Sequence, residues 1–171
     1  MSQFSIFERD NDRAKFLEEL KNNNEAICPC CERRARINKL KIHSTLAAML
    51  MNLAKVSNAI AGDLRSWVHI EHFRLSYASS GNDFCICKHW GIVETRAAEP
   101  EEDKNGSGYY RLTALGEKFV TGEARIAKYA YTFDNRALKF SDETVDIVDS
   151  LNNKFSFSEL LSHIRASEEA A

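Results

Sequence analysis

No run of about eighteen consecutive apolar residues occurs in the chain, so a membrane-spanning helix is not expected. Charge of one sign is not in excess either. Lysine and arginine total 23 against 25 aspartates and glutamates, a formal net charge of -2. That balance gives no general attraction to polyanions and puts the weight on where the charges fall. Only seven glycines are present. None falls in G-x-G-x-x-G or G-K-[ST] spacing, which excludes the common phosphate-cradling loops, and no G-x-S-x-G elbow occurs. His43, His69, His72, His89 and His163 are scattered. His69-x-x-His72 is one residue short of a helical i,i+4 pair and lacks the H-E-x-x-H order of a metalloprotease. Glu99, Glu101, Glu102 and Asp103 share a polar stretch and read as solvated. These absences argue for a non-enzyme. The opening residues MSQFSIFERDNDR lack a cationic start followed by an apolar segment, so no secretory signal is expected and the protein is read as cytoplasmic.

What is present supports one real core. Apolar residues make up 44% of 171 and charged residues 28%, ordinary for a globular protein of one domain with an appendage. The five cysteines, at 28, 30, 31, 85 and 87, are odd in number. In a chain read as cytoplasmic this favours thiols or metal over a disulfide framework.

Periodicity orders the elements. Asp12–Leu20 reads as a helix with Phe16, Leu17 and Leu20 on one face, stopped by Asn22-Asn23-Asn24. Ser44 is placed to cap a second helix whose Leu46, Leu50 and Leu53 recur at i, i+4, i+7; Ala54 to Asp63 continues it or begins another, ending near Gly62. Trp67 to Phe73 reads as strand or loop. Asp83–Trp90 forms a short helix closed by Gly91. Ile92–Arg96 and Tyr109–Thr113 read as two strands of a hairpin whose tip is the polar, breaker-rich AAEPEEDKNGSG. Thr113 caps a helix over Ala114–Val120, ended by Gly122. Ile126–Phe133 has strand character, with Tyr129, Tyr131 and Phe133 on one side. Asp134-Asn135 turns the chain back through Leu138–Phe140. Ser156 to Glu159 matches a capping box before Leu160, Leu161 and Ile164.

From 43 to 122 the order is helix, connector, short helix, hairpin, short helix, as a winged helix-turn-helix requires. The expected fold is therefore α+β: a winged helix-turn-helix over 43–123, an N-terminal helix and zinc-knuckle-like segment over 1–42, and a small C-terminal α/β extension over 124–171.

The cysteines admit two readings. Cys28-Pro29-Cys30-Cys31 contains a C-x-x-C whose thiolates can bite one zinc ion while the turn's amides face the sulfurs. A structural zinc takes four ligands, and Cys85 with Cys87 offers the second pair, leaving Cys30 spare; His69 or His72 is a further candidate. Against this, Phe84, Cys87 and Trp90 or Gly91 share the inner face of the 83–90 helix, where a free cysteine serves as a small hydrophobe. A C-x-C on a regular helix also projects its side chains about 200° apart, a poor bite for one ion.

The segments CPCCERR, HWGIVE (89–94), GYYRLTALGEKFVTGE (108–123) and YTFDNRALKFS (131–141) resemble a set of phage and prophage proteins. Those look like winged-helix domains with a short N-terminal zinc knuckle and a small C-terminal extension, and the likeness spans roughly 28 to 160. GYYRLTALGEKFV is also similar to the wing and following helix of many bacterial transcription regulators. The resemblance implies a fold and a structural zinc; it implies no activity. The sequence departs from it once, with Glu32 where such knuckles carry glycine after the second cysteine.

A DNA-binding role would draw on Asn82, Lys88 and His89 from the short helix and on Arg96, Lys104 or Arg111 from the wing. Arg33, Arg34, Arg36, Lys39 and Lys41 would grip phosphates of double-stranded DNA. Asp83 and the acidic wing tip oppose that role. The leading expectation is a phage-type transcriptional regulator that binds DNA. The alternative is a protein-interaction module docking on a host or phage protein through acidic and basic patches. A dimer is left open, and no membrane partner is expected.

Overall fold

The structure, a computed structural model, describes residues 6–75, 81–96 and 108–166. It is an α+β arrangement of several helices and small antiparallel sheets. In chain order the elements are α1 (Ile6–Asn23), β1 (Glu25–Ile27), β2 (Arg34–Arg36), β3 (Asn38–Leu40), α2 (Ser44–Ala61), β4 (Val68–His69) and α3 (Ile70–Phe73). A 3-10 helix (Gly81–Trp90), β5 (Val93–Thr95), β6 (Tyr109–Leu112), α4 (Ala114–Val120), β7 (Ile126–Ala127) and β8 (Ala130–Phe133) follow. The chain closes with β9 (Arg136–Phe140), β10 (Thr144–Val145), α5 (Ile147–Leu151) and α6 (Phe157–Ala166). Among the described residues no helix is long and apolar enough to cross a membrane. The expected wing tip falls mostly on residues 97–107, outside the described residues.

Two compact units emerge. One joins the chain up to Leu40 with Tyr129–Phe140; the other holds Lys41–Lys128 and everything from Ser141 on. The residues after 123 therefore do not pack as one extension.

In the first unit, Asn24 takes a left-handed conformation (φ 61) and ends α1, as the asparagine run suggested. β1 and β2 form an antiparallel hairpin pairing Glu25 with Arg36 and Ile27 with Arg34. β3 lies at the edge of a three-stranded antiparallel sheet ordered β3-β8-β9. Asp134 and Asn135, both left-handed (φ 49 and 57), make the two-residue turn between β8 and β9. Phe16 of α1 packs edge-on to Phe133, ring centroids 5.7 Å apart.

In the second unit, α2 is the hub. Leu46 through Met51 are buried without a break, and Leu53 and Ala54 follow. A helix apolar on every side is an enclosed helix, and α2 is touched by α3, α4, α5, α6, β4, β6 and the 3-10 helix. Ser44 is not its cap: His43 holds that position without a side-chain hydrogen bond, and Ser44 is the first helical residue, itself buried. Gly62, left-handed at φ 69, closes the helix after a single continuous run. Trp67 to Phe73 divides between β4 and α3. β4, β6 and β5 form one antiparallel sheet with β6 in the centre.

Two expectations differ in detail. Asp83–Trp90 does coil tightly, but as part of a 3-10 helix from Gly81. Side chains three apart eclipse in that geometry, and burial follows: Phe84, Cys87 and Trp90 are the inward stripe. Ile126–Phe133 is two strands in two sheets. β7 pairs with β10, and β8 pairs with β3 and β9.

Candidate functional site

The knuckle is the tip of the β1–β2 hairpin. The Cys28 amide donates to the Arg33 carbonyl at 2.9 Å, and the Glu32 amide donates to the Cys28 carbonyl at 2.8 Å, closing a tight turn. That closure requires a left-handed residue just after Cys31, and Glu32 supplies it at φ 56. The glycine position of the knuckle pattern is thus conformationally kept although the residue is glutamate. The amides of Cys30 and Cys31 donate to the Cys28 sulfur, and the thiols of Cys31 and Cys30 also reach it. These donors favour the thiolate and hold the Cys28 pKa below the ordinary cysteine value. Cys28 is half-buried, and Cys30 and Cys31 are exposed. The turn places three thiols, those of Cys28, Cys30 and Cys31, within four consecutive positions.

Cys85 and Cys87 belong to the second unit, on the 3-10 helix. Cys87 is wholly buried, and desolvation, then the neighbouring Cys85, pushes its pKa well above the ordinary value. At three residues per turn Cys85 falls on a different stripe and is half-exposed. Among the described residues, no group of three or more His, Cys, Asp or Glu side chains is placed to hold a metal ion.

The basic strip is partly tied down. Glu25 accepts from Arg34 at 2.6 Å and lies 3.7 Å from Arg36. The Arg34 hydrogen bond is the main reason the Glu25 pKa is lowered. Arg33 and Lys41 are exposed and have no ion-pair partner among the described residues. Lys39 lies over the Tyr129 ring at 3.8 Å and 5.9 Å from the centre of Tyr131. Lys139 lies 5.1 Å from the centre of Tyr131 and donates to the Lys21 carbonyl at 2.6 Å. Strand register explains the row: Lys39 is opposite Tyr131, which is opposite Lys139. The periodic tyrosines were visible in the sequence, but their partner cations arrive through a pairing distant along the chain.

In the second unit, Lys88 and His89 lie on the less buried stripes of the 3-10 helix, both half-exposed. Desolvation, then Lys88, lowers the His89 pKa. Asn82 is on the same helix, and its side chain lies outside the described residues, as does Lys104. Arg111 donates to Glu94 Oε2 through Nε at 2.7 Å and through Nη2 at 2.6 Å. Its guanidinium also covers the Trp67 ring at 4.6 Å. Arg96 covers the Tyr109 ring at 4.4 Å. Arg96 and Arg111 are therefore each held against an aromatic ring.

The joint behind the hairpin is hydrogen-bonded. Thr113 Oγ1 donates to the Gly91 carbonyl at 2.6 Å and accepts from the Gly116 amide at 3.0 Å, capping α4 as expected. Trp90 Nε1 donates to the Ala127 carbonyl at 2.6 Å. These bonds tie the end of the 3-10 helix to β7 and to the N-cap of α4. Compared with protein families, curated proteins and solved structures, the chain matches none of them.

Proposed function

We propose that residues 44–122 form a winged helix that docks on double-stranded DNA, and that the protein is a non-enzymatic, phage-type transcriptional regulator. The observation that carries this reading is the sheet order β4-β6-β5 behind a tightly wound helix that enters β5 directly. In that arrangement the helix Gly81–Trp90 is the reading element, presenting Lys88 and His89. The β5–β6 hairpin is the wing, with Arg111 on β6 and Arg96 just past the end of β5. Arg33, Arg34, Arg36, Lys39 and Lys41 supply phosphate contacts.

The test is duplex binding across a salt series. Each neutralised phosphate contributes a slope of about -0.9 in log K against log salt, so three to five contacts give roughly -3 to -4.5. The Arg33→Glu, Lys41→Glu double variant lowers affinity at least tenfold at about 50 mM salt. Absence of duplex binding at about 50 mM salt removes this reading.

One observation favours the second reading, a module that docks on a protein. Arg111 is already satisfied by Glu94, and both share the wing with their rings and carboxylate in place. A phosphate approaching there displaces or meets a carboxylate, whereas a protein partner uses the pair as it stands.

A further inference from the structure

Strand pairing sets a row of rings and cations across the sheet β3-β8-β9. Tyr131 is on the central strand, directly opposite Lys39 on one side and Lys139 on the other. Directly paired residues share a face of the sheet, so the two ammonium groups flank the ring, 5.9 and 5.1 Å from its centre. Lys39 also caps the Tyr129 ring closely, at 3.8 Å. Both tyrosines are half-buried and Lys39 is exposed. Arg136, paired with Phe133, adds an exposed cation to the same strands. The strand sequences NKL, AYTF and RALKF contain no acid. The acids of this unit lie on α1, at Glu25 and Glu32 of the β1–β2 hairpin, and at Asp134 in the β8–β9 turn.

We propose that this face binds single-stranded nucleic acid, with a base stacked on Tyr131 and the adjoining phosphates on Lys39 and Lys139. Unpaired nucleotides are held by ring faces that stack bases and by cations that track the backbone, and the row supplies both. The charge is complementary, because cations stand on these strands and acids do not. A duplex keeps its bases stacked on one another and offers a sheet only phosphate and sugar. An acidic peptide has the charge but no base for the ring. Tyr129 is a positioning residue that holds the Lys39 ammonium in place. The surface belongs to the unit that does not contain the Gly81–Trp90 helix, and it goes beyond the duplex reading without resting on it.

The experiment titrates the full chain into fluorescein-labelled oligothymidylate and oligouridylate of about twelve nucleotides, read by anisotropy. Binding at about 50 mM salt is expected, with a slope of roughly -1.4 to -2.1 in log K against log salt for two to three phosphates. Binding of either probe that depends on the ring supports the proposal, and the tighter probe names the sugar. Tyr131→Leu lowers affinity at least about fivefold, while Tyr131→Phe, which keeps the ring, stays within about twofold. Lys39→Gln reduces the slope by about 0.7. Affinity for a mixed-sequence duplex, whatever its level, is unchanged by Tyr131→Leu. No binding of either probe at about 50 mM salt would overturn the proposal. So would affinity indifferent to Tyr131→Leu, an equal loss in Tyr131→Phe, or displacement by polyglutamate as readily as by unlabelled oligothymidylate. The parent titration and Lys39→Gln, at an exposed position, decide the matter where Tyr131→Leu fails to fold. A chain that binds these strands and no duplex loses the winged-helix reading and keeps this one.

Discussion

Gly116 shows how closely single residues are fitted. A Cβ built there would lie 2.0 Å from the Ile92 carbonyl oxygen and 3.2 Å from Leu112 Cδ2. The first contact is with backbone, which cannot rotate aside as a side chain does. Gly116→Ala therefore destabilises the fold by about 3 kcal/mol in urea unfolding, at the upper end of overpacking costs. A change below about 0.5 kcal/mol would show that α4 and β5 do not approach so closely. Cys87 gives a second prediction at this scale. With no exposed surface and a raised pKa, its thiol is neither accessible nor ionised. An aromatic disulfide reagent modifies Cys30 and Cys31 promptly in the native protein, and Cys87 only on unfolding. Peptide mapping that finds Cys87 modified at native rates contradicts its place in the core. Cys85 and Cys87 are two apart in sequence but on different stripes of the 3-10 winding, and Cys85 is half-exposed.

At the scale of elements, β5 and β6 are joined through Glu94 and Arg111, which are direct cross-strand neighbours. If the wing faces phosphate, Glu94→Gln removes a repelling charge and frees the guanidinium. Affinity for duplex then rises about three- to tenfold at low salt. Unchanged affinity in Glu94→Gln would take the wing out of the contact surface. Much of this element order was legible in the chain, because its signals are local. The asparagine run ends α1, Gly62 and Gly91 take left-handed backbones where helices close, and Thr113 caps α4. The hairpin strands around 93–95 and 109–112 fall where alternation placed them. What was not legible depends on partners far along the chain. Nothing near Ile126–Phe133 reveals that its two ends join different sheets, and nothing near Lys39 points to Tyr129 and Tyr131. The capping box of Asp146 and Asp149 stands in the sequence as D-x-x-D, a less distinctive pattern than Ser156-x-x-Glu159. His43 in place of Ser44 at the start of α2 reflects burial of the serine against the enclosed helix, an effect of packing that capping propensity does not contain.

At the scale of the whole molecule, charge decides function more than fold does. The α+β framework and its helix-to-hairpin order suit either groove reading or protein docking. The cations are distributed unevenly: Arg34 and Arg36 share one carboxylate, Arg111 has its own, and Arg33 and Lys41 have no ion-pair partner among the described residues. A net charge of -2 means that any duplex affinity comes from these local patches and falls quickly with salt. The most direct measurement is an amide-resolved NMR titration of the labelled protein with a random duplex at low salt. Binding through the proposed elements shifts the amides of Gly81–Trp90 and of the two hairpin strands, and the shifts vanish as salt is raised. A titration that leaves Gly81–Trp90 unperturbed, or that moves only amides of α5 and α6, would contradict the account.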